Sequence, residues 1–210
     1  MKRREVIKGL GLSLGALLVA PSAMSLLQSC ASDKPKWVST IFSADQASLL
    51  DKLSDIILPK TEDSPSATEV NVPQFIDRYV EEIYEAEERD LFIKGFSNFG
   101  NIVMKNAETE TLKNLEVTDI EPALGAILKK TKEENEAIME TFYEAFEAET
   151  DIPEDVLNYV AMNRVRDLCI FAYINSQKVG EEVMAYAPVP GKQEGCIDVS
   201  ETNGKAYSLS

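Results

Sequence analysis

From Ser43 to about Met184 apolar residues recur three and four positions apart, the spacing that places them on one side of an α-helix. Ser43-Ala44-Asp45-Gln46 opens the first such stretch as a capping box: the hydroxyl accepts from the amide three residues on, and the glutamine reaches back. Ala47, Leu50, Leu53, Ile56 and Ile57 follow on one face, Leu49 widens it, and Pro59 ends the helix. The polar run 61–71 reads as a surface loop. Val72-Pro73 begins a second helix, because proline costs nothing in a first turn whose N–H groups have no partner anyway. Its predicted buried face is Phe75, Ile76, Tyr79, Val80, Ile83 and Tyr84. The acidic run 85–90 either prolongs this helix or separates it from a third. Leu91, Phe92, Phe96, Phe99, Ile102, Val103 and Met104 carry that third helix, and Gly95 and Gly100 weaken its continuity.

Thr118-Asp119-Ile120-Glu121 reads as another capping box, followed by Pro122 and by Leu124, Ile127 and Leu128 on one side. Lys129, Lys130 and Lys132 suit its negative C-terminal end. A fifth pattern runs from about Glu133 to Ala148 with Ile138, Met139, Phe142, Tyr143 and Phe146. A sixth starts near Pro153 and carries Val156, Leu157, Val160, Met162, Val165, Leu168, Cys169, Phe171 and Ala172. Asn175-Ser176 caps a short last helix over 177–184. From Tyr186 the helical period stops at two prolines and a glycine. Segments 196–199 and 205–209 then alternate around Asn203-Gly204, which predicts a small β-hairpin. The expected fold is all-α: an irregular bundle of six to seven helices, with a Pro/Gly-rich C-terminal tail and that hairpin.

The first thirty residues are patterned differently. A basic head, Met1 to Lys8, precedes an apolar stretch from Gly9 to Ala23 that is too short to span a bilayer and reads as a signal h-region. Ser25-Leu26-Leu27-Gln28-Ser29-Cys30 resembles a bacterial lipobox, in which Cys30 is acylated and becomes the new N-terminus; the alternative is an ordinary cleavage site beside a chance cysteine. Arg3-Arg4 before Val6-Ile7-Lys8 resembles a twin-arginine export signal, which moves already folded cargo, and the three glycines of the h-region fit that route better than a general secretory one. The expected organisation is a signal peptide over 1–29, a tether over 30–42, a helical domain over 43–186 and a tail over 187–210. The expected location is the cell envelope, as a periplasm-facing lipoprotein held to the membrane through Cys30.

Composition narrows the chemistry. Of 210 residues, 44% are apolar and 27% charged, with 21 Lys+Arg against 36 Asp+Glu, a net charge of −15. Loss of residues 1–29 removes four basic residues and one acid, leaving −18 on 181 residues. Such a surface does not suit phosphate backbones, so nucleic acid is not an expected partner. The chain has no histidine, which removes the usual general base, the commonest zinc and haem ligand and any His-dependent nucleophile. No phosphate-binding glycine loop, haem attachment sequence or calcium loop occurs after the leader. The glutamate clusters at 81–88 and 133–134 read as solvated helix faces. No catalytic, cofactor-binding or metal-ligating residue is expected on this chain.

Two cysteines remain after Cys30. In an oxidising compartment Cys169 and Cys196 invite an internal disulfide; two free thiols fit the sequence as well, and a bond from one of them to a partner is the lesser third alternative. Aromatic residues are dense on the helices, among them Phe75, Tyr79, Tyr84, Phe92, Phe96, Phe99, Phe142, Tyr143, Phe146, Phe171 and Tyr173. Most belong to the core, and some are candidates for a partner-facing patch.

Three segments together resemble the small subunit ("subunit 3") of the gluconate 2-dehydrogenase family. They are Ile56-Ile57-Leu58-Pro59, then Val72-Pro73-Gln74-Phe75-Ile76-Asp77, then the stretch from Tyr186-Ala187-Pro188-Val189-Pro190-Gly191 to Gly195-Cys196. A twin-arginine leader is also typical. The resemblance implies a non-catalytic subunit that escorts, anchors and stabilises a large FAD-dependent dehydrogenase of the glucose-methanol-choline type. That large subunit oxidises a sugar, sugar acid or glycoside and passes electrons to a cytochrome c or another carrier. FAD is then the partner's cofactor, and the tail residues Tyr186, Pro188, Pro190, Gly191 and Gly195 are candidates to face the partner. The alternative is a free-standing helical envelope lipoprotein that binds a ligand or envelope component.

Overall fold

In the computed structural model, which describes residues 37–187 and 196–208, Ser43 caps the first helix as its sequence requires. Its Oγ accepts from the Gln46 amide at 3.3 Å, and its own amide donates to Gln46 Oε1 at 3.0 Å. This helix, α1 (Ala44–Ile57), buries Ala47, Leu49, Leu50 and Leu53. The chain falls into two units, Met1–Trp37 and Val38–Ser210, and the bundle is the second.

The connection to the next helix is not the surface loop expected. Pro65, Ser66 and Ala67 are buried, and a 3-10 turn follows at Thr68–Val70. Burying backbone requires partners for its polar groups. The Thr68 amide and hydroxyl donate to the Asp55 carboxylate at 2.9 and 2.8 Å, the Ser66 amide to Glu69 at 3.0 Å, and the Tyr173 hydroxyl to the Pro65 carbonyl at 2.7 Å. Two of these three partners lie outside the loop, so local composition gave no sign of them.

Helix α2 (Val72–Ile83) has its proline in the first turn, as expected. The acidic run breaks the chain: Tyr84 and Glu85 are extended, and α3 (Ala86–Asn106) begins with Glu87 and Glu88 against its positive end. α3 continues unbroken through Gly95 and Gly100.

Helix α4 (Val117–Leu128) starts before the predicted box. Glu116 is its N-cap, and the Glu116 amide donates to the Asp119 carboxylate at 2.8 Å. Thr118 and Glu121 are thus inside the helix, as is Pro122. Helix α5 (Lys132–Glu147) is capped by Thr131, whose Oγ1 accepts from the Glu134 amide at 3.2 Å. Helix α6 (Glu154–Ile174) is the centre: each of the other five packs against it, α3 most extensively. Its buried residues lie all round in the first half, Val156 to Met162, and on one side from Val165 to Ala172, where Arg164, Asp167, Ile170 and Phe171 are exposed.

After α6 the chain makes a five-residue π-turn, Val179–Val183, closed by the Met184 amide donating to the Val179 carbonyl at 2.9 Å. The predicted hairpin does not form. Asp198 caps a 3-10 turn over Val199–Thr202, and Asn203 and Gly204 take the positive φ of a hairpin turn only to end it. The last segment instead pairs with Ala185 in a single parallel bridge to Tyr207, through Ala185 N to Ala206 O and Ser208 N to Ala185 O, each 2.9 Å. No strand occurs among the described residues, and no helix among them is long and apolar enough to cross a membrane.

Candidate functional site

The face of α2 that the sequence marks as buried is divided in the structure. Ile76 and Val80 are in the core, but Ile83 is 60% exposed and Phe75 lies at the surface. On α6, residues at helical spacing carry the neighbouring stripe: Val160, Arg164, Asp167 and Phe171. Phe171 is 49% and Ile170 43% exposed. Between the two helices the rings form a ladder, with Phe171 5.8 Å from Phe75, Phe75 5.6 Å from Tyr79, and Tyr79 6.0 Å from Tyr84. These separations are those of favourable aromatic pairs. From Tyr84 the ladder turns inward to Phe92 at 5.9 Å, and Phe92 leads to Phe96 and Phe42 in the core.

Tyr84 also forms one wall of a cleft of about 120 Å³. Leu91 and Phe92 of α3, Leu157, Val160 and Ala161 of α6, and Phe142, Tyr143 and Phe146 of α5 complete it, with Glu88 and Arg164 contributing the charges. Although α5 carries the apolar stripe predicted for it, none of its residues is buried. Phe142 and Phe146 stack 6.0 Å apart and are half-covered, and Tyr143 is 49% exposed. Burial pushes the Tyr84 phenol above its ordinary value, the nearby Arg164 opposes this, and Glu88 adds to it. Arg164 makes no ion pair or hydrogen bond with another described residue.

Behind this face lies a side chain that the sequence marks only as the end of the 72–77 segment. Asp77 is 2% exposed, on the side of α2 away from Phe75 and Tyr79. Its Oδ2 accepts from the Thr40 amide at 2.9 Å and the Thr40 hydroxyl at 2.8 Å. Its Oδ1 accepts from the Ser39 hydroxyl and, at 3.4 Å, from the Ile41 amide. One carboxylate thus clasps the chain just before α1 begins. Besides its place in that segment, the local signal was a charge sharing a helical face with Pro73 and Val80.

The two cysteines of the bundle are free thiols. Cys169 is wholly buried, with its Sγ 3.6 Å from Ser54 Oγ, and burial pushes its pKa up to about 11. Cys196 is exposed. The structure therefore does not join them, and the depth of Cys169 removes it as a bond to a partner. Of the candidate tail residues, Tyr186 is partly exposed beside the Ala185 bridge. Pro188, Pro190, Gly191 and Gly195, like Arg3, Arg4 and Cys30, lie outside the described residues. Among the described residues no group of three or more acidic or cysteine side chains is placed to hold a metal.

Five helices packed round one central helix, with a surface cleft walled by aromatic rings, define the class: an irregular all-α bundle. Within that class the chain belongs to the gluconate 2-dehydrogenase subunit 3 family, whose model matches residues 44–191. The match starts at the first residue of α1, ends in the Pro/Gly stretch after Ala187, and covers more than two-thirds of the chain. Membership is consistent with an accessory subunit of a dehydrogenase complex. Comparison with curated proteins and with solved structures returned no match.

Proposed function

We propose that this chain is the non-catalytic small subunit of an envelope dehydrogenase complex, and that it escorts, anchors and stabilises a large FAD-containing subunit of the glucose-methanol-choline type. The observation that carries this reading is the family match over the whole helical region, in a chain whose Arg3-Arg4 leader suits export of folded cargo. A flavoprotein must bind FAD where FAD is made, and so must cross the membrane already folded. A small subunit that brings the export signal allows a leaderless partner to cross attached to it. Acylation of Cys30 would then hold the complex at the membrane, since the chain's net negative charge gives anionic lipid no reason to bind it.

The test is to express the large subunit with and without this chain and to assay FAD-loaded large subunit in the periplasm. Export that depends on this chain, and that stops when Arg3 and Arg4 are both changed to Lys, is the expected result. Large subunit reaching the periplasm unaided would refute the escort role. A chain that purifies alone in gentle detergent would favour the free-standing lipoprotein instead.

A further inference from the structure

The geometry points to the aromatic surface between α2 and α6, continued into the α5 cleft, as the face on which the large subunit docks; this rests on the subunit reading above. Its centre is the ladder Phe171–Phe75–Tyr79–Tyr84. Its flank is the cleft under Tyr143, with about 120 Å³ to receive an apolar side chain from the partner.

A second feature independent of the rings marks the same place. After Cys30 the chain contains four arginines, and all four lie on the segments that build this surface. Arg78 is on α2, Arg89 is in the first turns of α3, and Arg164 and Arg166 are on α6. The lysines are spread along the whole chain, with Lys94 and Lys105 on α3 and Lys132 on α5. Aromatic residues with arginine are the composition of interface centres, whereas lysine and glutamate are depleted there. Arg164 stands at the cleft without an ion pair among the described residues, and Arg78 reaches Glu82 only at 3.8 Å with both side chains exposed.

Charge selects the occupant. On a chain with a net charge of −15, two copies repel each other, and so do the chain and an anionic bilayer. Arg164 at the cleft and Arg78 beside Phe75 give this face a different local chemistry, suited to carboxylates gripped by the planar guanidinium fork, whereas Arg166 is already bonded to Asn163 and Asp167. The fitting partner is therefore a protein surface with an apolar projection, to enter the cleft, flanked by Asp or Glu opposite the arginines.

The experiment purifies the tagged full-length chain, co-expressed with the large flavoprotein subunit, in mild detergent and reads flavin absorbance per chain. Phe171→Glu, Ile83→Glu and Arg164→Glu are compared with Val117→Glu and Val199→Glu, which alter exposed apolar positions elsewhere. The melting temperature of each chain alone shows that it folds. At least a tenfold loss of co-purified flavin for the first three, with the last two unchanged, is the expected result. Full flavin retention by all three face variants would overturn the docking face while leaving the subunit reading intact. No flavoprotein on the wild-type chain would instead remove the subunit reading itself. Two further arms detect other occupants: light scattering of the chain alone, and binding of a Cys30→Ser chain to phosphatidylcholine vesicles. A dimer, or vesicle binding, that Phe171→Glu abolishes would assign the face to a second copy or to lipid and overturn the proposal.

Discussion

A Cβ built on Gly95 would stand 2.7 Å from the Cβ of Ala161 and 2.8 Å from the Leu157 carbonyl oxygen. Helices α3 and α6 therefore cross with backbone nearly touching backbone, and this is the most extensive contact in the bundle. Gly95→Ala should improve helix propensity by about 1 kcal/mol but cost about 1–3 kcal/mol in overpacking, since neither neighbour can swing aside. The net loss of about 1 kcal/mol should lower the melting temperature by about 2–4 °C. Gly100→Ala is the contrast, because its added Cβ meets the flexible end of Leu112 at 2.9 Å, and its melting temperature should hold or rise. Equal behaviour of the two variants would contradict this account of the crossing.

Asp77→Asn should loosen the start of the domain. The amide keeps one acceptor oxygen where the carboxylate has two, so at least one of the donors from Ser39, Thr40 and Ile41 loses its partner. The expected cost is about 2 kcal/mol, typical of hydrogen bonds to a charged group. Amide exchange at Thr40 and Ile41 should accelerate well before exchange in α6; unchanged protection there would show that the clasp is not what orders the segment.

The buried Cys169 thiol predicts a pH dependence. In the unfolded chain it ionises near 9 and in the folded protein near 11, so folding opposes its ionisation. The stability it contributes is complete below pH 9 and is lost as pH rises through 11, by about 2–3 kcal/mol in all. Denaturant titrations at pH 8 and 11 should show that loss in the wild type and a smaller one in Cys169→Ala. Some loss remains because Tyr84, also raised by burial, acts in the same direction. Alkylation at pH 8 should modify exposed Cys196 and leave Cys169 intact until the protein unfolds.

Tyr173→Phe removes the hydroxyl that donates to the Pro65 carbonyl at 2.7 Å in a buried site. The ring packing survives, but a carbonyl is left without that donor, which should cost about 1–2 kcal/mol. The 61–65 segment should become the first site of limited proteolysis. If cleavage there is no faster than in the wild type, the loop is held by Asp55 and Glu69 alone.

The extent to which the bundle was readable follows the range of the interactions that build it. The cap at Ser43 and the first-turn proline at Pro73 depend on neighbours three residues away or less, and both stand as expected. Three caps misread or passed over, at Glu116, Thr131 and Asp198, are local as well; at the first, Glu116 and Asp119 displaced the box predicted at Thr118. Asn203-Gly204 has the conformation that the hairpin rule expects. The rule failed because the preceding residues found a 3-10 turn capped by Asp198 and the following ones found Ala185. The candidate site was half legible. The aromatic residues were visible as types, but the exposure of Phe75, Ile83 and Phe171 depends on how α2 is rotated against α6. Asp77 ties α2 to the 39–41 segment, so its partners come from a different part of the chain, as do those of Gly95.

The clasp at Asp77 also decides how the bundle responds to force. Chain entering from the N-terminal side is gripped at Ser39–Ile41 before any helix begins. A pull from that side meets several bonds to one carboxylate at once and is carried sideways into the middle of α2. The first turn of α1 is spared, so tension would have to shear a cluster where it could otherwise unzip a helix one turn at a time.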